Sequence, residues 1–231
     1  MKNDISRLTL AVRTYTRPAG TKPHRPARRA WTPPGCILVL DTETRTDAAQ
    51  SLTFGSYRFI DEGDCVEEGL IYADGLPATD VALLREYVRT SRADVARGEF
   101  DRLRLYSRKE FIARVFEPAA YDARALVVGF NLPFDLSRLA IDVGAAREPQ
   151  AGGFSFALWS YGADGHERPN PHKPRLVIKQ IDSKRALMHF TKPLRPAPTN
   201  RDFRGHFLDL RALAYALTSI GYSLEGACQD F

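Results

Sequence analysis

The apolar run Cys36-Ile37-Leu38-Val39-Leu40, ending in Asp41-Thr42-Glu43, restricts this chain more than any other feature. Side chains two apart along a β-strand share a face at a separation of about 6.6 Å. Asp41 and Glu43 therefore project from the end of a hydrophobic strand into one small space. Two unpaired anions so placed repel each other, and a divalent cation relieves the repulsion. Their hard oxygen donors suit Mg²⁺ or Mn²⁺ better than zinc.

A second segment extends the pattern. Ala125-Leu126-Val127-Val128-Gly129 reads as another buried strand, followed by Phe130-Asn131-Leu132-Pro133-Phe134-Asp135 and the helical spacing of Leu136, Leu139 and Ala140. Asp135 then stands near the start of a helix just beyond a strand end. Carboxylates at the ends of neighbouring strands can meet at one site, the usual location for function in α/β sheets.

Asp-x-Glu after a strand, then Asn-x-x-Phe-Asp opening a helix, resembles the first two motifs of the DEDD superfamily of 3′-5′ exonucleases. Phe207-Leu208-Asp209-Leu210-Arg211 resembles the later strand-to-helix passage of that superfamily, and the likeness covers roughly residues 36–231. The resemblance implies a ribonuclease-H-like fold and hydrolysis of phosphodiester bonds at single-stranded DNA or RNA ends. It also implies association with a polymerase domain or subunit. Asp41 would bridge two Mg²⁺ or Mn²⁺ ions, Glu43 would hold the ion that activates water, and Asp135 would bind the other. Thr42, Asn131 and Phe134 would contact the terminal nucleotide. The third motif of the family, Tyr or His four residues before Asp, has no match in the C-terminal region, and the chain reads as stopping before the helix that would carry it. A catalytically impaired nucleic-acid-binding module of the same fold is the alternative.

Charge is distributed in blocks. Residues 1–31 carry net +7, 32–164 net −7, 165–206 net +7 and 207–231 net −2, which reproduces the overall +5. Two basic blocks thus flank an acidic core, a distribution suited to a phosphate backbone. The first block, rich in Pro and Arg, reads as a disordered arm. In the second, Arg175, Lys184 and Arg185 are candidate phosphate contacts. Three cysteines without metal-type spacing fit a reducing, cytoplasmic setting, and no run of 18 apolar residues is available to span a membrane.

The expected organisation is α/β: three antiparallel strands and two parallel ones in a mixed sheet, flanked by helices. Strands at 37–42, 51–60 and 65–73 form the meander, with the turn Asp61-Glu62-Gly63-Asp64 between the last two. Thr79 or Asp80 is expected to cap a helix reaching about Ser91, and Ser107-Arg108-Lys109-Glu110 is a capping box. The helix bearing Asp135 is expected to end near Gly144. Asp209 reads as a helix cap, and residues 147–205 as a β-hairpin-like insertion beside the substrate.

Overall fold

The computed structural model of the chain describes residues 32–162, 167–182, 185–196 and 202–231. The basic arm read from residues 1–31 and the candidate Lys184 lie outside them. The buried run at 36–40 becomes strand β1 (Cys36–Thr44), and two hairpin partners, β2 (Leu52–Asp61) and β3 (Asp64–Tyr72), complete the antiparallel meander. Helix α1 (Ala78–Thr90) crosses over to a short strand β4 (Arg104–Ser107), which pairs parallel with β3. Helix α2 (Arg108–Phe111) continues with wider, π-type hydrogen bonding over Ile112–Asp122, and Pro118 withholds a backbone donor inside that stretch. Strand β5 (Leu126–Gly129) then pairs parallel with β1, and helix α3 (Leu132–Arg138) follows it.

Four strands, β6 (Asp142–Ala145), β7 (Phe154–Ala157), β10 (Leu176–Gln180) and β11 (Ala186–Phe190), form a second antiparallel sheet in the order β11-β10-β7-β6. A two-stranded ribbon, β8 (Ser160–Tyr161) with β9 (Arg168–Pro169), branches from it. The chain returns through β12 (His206–Asp209), parallel to β5, and closes with α4 (Leu210–Thr218) and α5 (Leu224–Asp230). The main sheet is mixed, in the order β12-β5-β1-β2-β3-β4. No helix among the described residues is long and apolar enough to cross a membrane.

Both sheets share one core. Leu38 and Leu40 of β1, Leu132 and Leu136 of α3, and Phe111 and Phe116 pack in the same buried cluster as Leu176 and Phe190 of the second sheet and Leu158, which directly follows β7. Phe190 meets Tyr121 and Phe207 edge-on, at centroid distances of 5.5 and 5.2 Å. These perpendicular contacts add to plain area burial and fasten the second sheet beside the first.

Several sequence expectations change. The helix after Asp135 stops at Arg138, and Asp142–Ala145 is the edge strand of the second sheet. Backbone pairing with Phe154–Ala157 outweighs a short stretch of helical spacing. The insertion is therefore a four-stranded sheet beginning at 142, larger than a hairpin. Neither Thr79 nor Asp80 caps α1, whose N-cap is Pro77. The capping box at Ser107 forms, with its hydroxyl accepting from Glu110 N–H and the Glu110 carboxylate accepting from Ser107 N–H.

The approach of β2 to β1 requires Gly55. A Cβ there would lie 2.6 Å from the carbonyl oxygen of Asp41 and 3.3 Å from the Cα of Thr42. Gly55→Ala should therefore lower the unfolding free energy by about 1–3 kcal/mol in urea denaturation. Gly144→Ala, whose Cβ meets nothing within 4 Å, should leave it nearly unchanged.

Candidate active site at the ends of the central strands

Parallel pairing brings the C-terminal ends of β1 and β5 side by side. The register joins Ile37 to Leu126 and Val39 to Val128, after which β1 runs on toward Thr44 paired only with β2. At Gly129, the last residue of β5, a Cβ would sit 2.9 Å from the carbonyl oxygen of Leu40, so the close approach of the two strands requires glycine. The chain then turns through Asn131, which adopts left-handed backbone angles (φ 71°, ψ 37°), a conformation asparagine tolerates better than most residues. The Asn131 N–H donates to the Asp209 carboxylate at 3.0 Å, and the same oxygen accepts from Arg211 N–H at 3.1 Å. Asp209 thus caps α4, as the sequence indicated, and also holds the turn that launches α3.

That turn delivers Asp135 to β1. Leu132 and Leu136 anchor α3 in the core, and Asp135, between them, is left 3% exposed. Its Oδ1 accepts from the Thr42 hydroxyl at 2.8 Å and from the Thr42 backbone N–H at 3.3 Å. The Thr42 N–H lies beyond the last residue of β1 that pairs with β5, so the carboxylate supplies the acceptor that the strand no longer offers. Its Oδ2 is buried and has no hydrogen-bond partner.

The electrostatics follow from this burial. Desolvation, reinforced by the nearby Asp41 charge and opposed by the Thr42 hydrogen bonds, pushes the Asp135 pKa up to about 7. Desolvation also raises Asp41, against a backbone hydrogen bond from Thr42. Asp41 is half-buried and Glu43 exposed.

The expected convergence of three acids is only partly realised. Strand alternation turns Leu38, Leu40 and Thr42 toward the core, and gives Asp41 and Glu43 to the opposite face. Asp41 there borders an open depression of about 350 Å³ with Ser56, Arg58 and Tyr87. Among the described residues, no group of three or more His, Cys, Asp or Glu side chains is gathered as a metal cage. Asp41 and Asp135 act on each other through their charges, while Glu43 stands at the rim. Thr42, expected to contact a nucleotide, instead commits its hydroxyl and its N–H to Asp135. The buried, unpaired Oδ2 of Asp135 is one hard oxygen donor of the kind a divalent cation takes, while Asp41 and Glu43 stand on the other face of β1.

A groove of about 650 Å³ runs between α3 and the second sheet. Asn131, Phe134 and Arg138 line one side, and Val143, Phe154 and Phe156 the other. The Arg138 guanidinium lies 4.5 Å from the centre of the Phe134 ring. It also donates to the carbonyls of Ala49 and Gln50 at 3.3 and 3.0 Å, tying α3 to the β1–β2 loop. Phe154, 59% exposed, stands in this groove beside Phe156. Sequence reasoning passed over Phe154, although its Phe-x-Phe alternation marks a strand face that carries two aromatic rings.

The basic candidates of the second sheet are mostly engaged. Arg185 forms two hydrogen bonds with Asp182, at 2.8 and 2.6 Å, and Arg175 pairs with Asp142 at 2.9 Å while also holding Ser155.

No family model matches the chain, and comparison with curated proteins yields no match.

A raised carboxyl pKa means that the ionised group destabilises the fold above about pH 7. That penalty fades as pH falls through 7 toward the unfolded value of 3.8. The interval corresponds to about 4 kcal/mol. Asp135→Asn removes the titration. With EDTA present, the stability of the variant relative to wild type should therefore shift in its favour on the order of 4 kcal/mol between pH 4 and pH 8, measured by urea denaturation at each pH. A constant difference across that range would remove the electrostatic account of Asp135.

Proposed function

We propose that residues 33–231 form a metal-dependent nuclease domain of the DEDD 3′-5′ exonuclease type, with a ribonuclease-H-like fold. It would hydrolyse phosphodiester bonds at single-stranded DNA or RNA ends, in the company of a polymerase domain or subunit. The observation that carries this reading is the Asp135 carboxylate. It is buried against Thr42 at the end of β1, charged against Asp41, and left with one oxygen unpaired. The mixed sheet, with three antiparallel strands followed by parallel β5 and β12, agrees with that fold and supplies the strand-end location.

When bound, Mg²⁺ or Mn²⁺ would neutralise the phosphodiester and acidify a coordinated water. In this reading Asp135 would give one carboxylate oxygen to the cation, and Asp41, which acts on it through its charge, would reach it only around the end of β1, with Glu43 farther out at the rim. Thr42 keeps Oδ1 of Asp135 occupied, which leaves Oδ2 as the oxygen that would be available to a cation. Asn131 is held by Asp209 and in turn sets the direction of α3. Phe134 and Phe154 offer aromatic faces to unpaired bases, a recognition mode that tolerates any sequence.

The second reading is a nucleic-acid-binding module without turnover, and one observation favours it: the three acids are not gathered into a single cage. Two measurements separate these readings. Mn²⁺ at 100 times its Kd should stabilise the wild-type chain by about 2.7 kcal/mol and leave Asp41→Asn unaffected. Oligonucleotides labelled at either end should shorten from the 3′ end with Mn²⁺ and remain intact with EDTA. Metal stabilisation and strand binding without any shortening would favour the binding module. Equal Mn²⁺ stabilisation of wild type and Asp41→Asn would overturn the shared cation site.

A further inference from the structure

The second sheet has two unlike faces. Phe154, Phe156 and Ile178 point to the groove and core side, whereas Ser155, Val177 and His189 share the opposite face through the pairs Val177↔Ser155 and Val177↔His189. On that opposite face lies a basin of about 430 Å³, whose charged lining is Arg147, Arg175, Lys192 and Arg204 against the single acid Glu148. Arg175 and Lys192 are paired, with Asp142 and Asp202 respectively. Arg147 and Arg204 have no ion-pair partner among the described residues. Their backbones are nonetheless pinned: the Arg204 carbonyl accepts from Phe190 N–H at 2.8 Å, and the Arg147 carbonyl from Gln150 N–H at 3.0 Å. Two uncommitted guanidiniums on a fixed backbone offer forked donors matched to phosphate oxygens. His189, partly buried on the same lining, is held below its ordinary pKa by desolvation and by the Arg204 charge.

Position gives the basin its occupant. Edge strand β6 separates it from the aromatic groove: Asp142 and Val143 border the groove, and Gly144 and Ala145 border the basin. All four β6 residues are exposed, so a strand leaving the groove crosses no buried barrier. We propose that this basin is a phosphodiester-backbone site, with Arg147 and Arg204 as its phosphate contacts, that receives single-stranded nucleic acid after it passes the Phe134–Phe154 groove. The inference rests on the nucleic-acid reading of the neighbouring groove but requires no hydrolysis.

The test is fluorescence anisotropy of a labelled oligothymidylate binding the whole chain in EDTA, as a function of salt. Arg147→Ala/Arg204→Ala should weaken binding at 0.1 M salt roughly tenfold or more and reduce the slope of log K against log salt by about 1.4, since each single-strand phosphate contact contributes about 0.7. Arg89→Ala, which removes a guanidinium paired with Glu86 on α1 and lining neither the groove nor the basin, should change neither quantity. In NMR titrations the His189 ring signals should move when the oligonucleotide is added to wild type and stay still in the double variant. The thermal midpoint of the double variant should equal that of wild type, because neither side chain has an ion-pair partner to lose. An unchanged slope would overturn the proposal. So would equal affinity for duplex DNA or for anionic vesicles, because the basin would then be a general polyanion surface. If binding behaves as expected but no strand is ever shortened with Mn²⁺, the basin stands and the nuclease reading fails.

Discussion

The contact between Asp135 and Thr42 joins the two halves of the chemistry to the two halves of the fold. Thr42 belongs to the central strand and Asp135 to the helix that follows its parallel neighbour, 93 residues later. For the contact to form, β5 must end at Gly129, Asn131 must turn with positive φ, and Asp209 must accept the Asn131 N–H. Each requirement is local, and together they set the depth at which the carboxylate is buried. Burial without a donor for Oδ2 leaves a charge that the fold does not satisfy, and such groups are concentrated at functional sites.

The second sheet is integral to this arrangement. Phe190, Leu176 and Leu158 enter the same core as Leu38 and Leu136, so the sheet is held against α3 by packing. Arg108 reinforces the junction, since its buried guanidinium pairs with Asp74 at 2.5 Å and donates to the carbonyls of Leu139 and Leu158. One side chain thus spans the loop after β3, the end of α3 and the second sheet. Removing its partners leaves the buried Arg108 charge uncompensated in a low-dielectric interior, which makes Arg108 a structural tie. The fixed junction is what keeps Phe154 opposite Phe134 in the groove.

The elements most legible in the sequence were those with a strong local cause. The buried run at 36–40 and its parallel partner at 126–129, the turn at 61–64, the capping box at Ser107 and the cap at Asp209 all appear where periodicity and side-chain chemistry put them. Less legible were β4 and β6. Arg104–Ser107 and Asp142–Ala145 are four-residue strands, too short for alternation to register, and each exists because a neighbouring strand offers unpaired backbone groups.

The sequence alone determined that Asp41 lies near the end of β1 and Asp135 in the first turn of the helix after β5, because apolar runs and the helix start that follows leave little freedom there. Tertiary structure decided which face each acid serves. Alternation along β1 makes Thr42 the residue that meets Asp135 and keeps Glu43 outside, a consequence of the side on which α3 packs and invisible in spacing along the chain. It also decided which arginines are free. Arg175 and Arg185 find carboxylate partners, whereas Arg147 and Arg204, 57 positions apart in the numbering, line one basin. Ion pairing depends on distances between side chains, and those are set by the fold and not by charge counts.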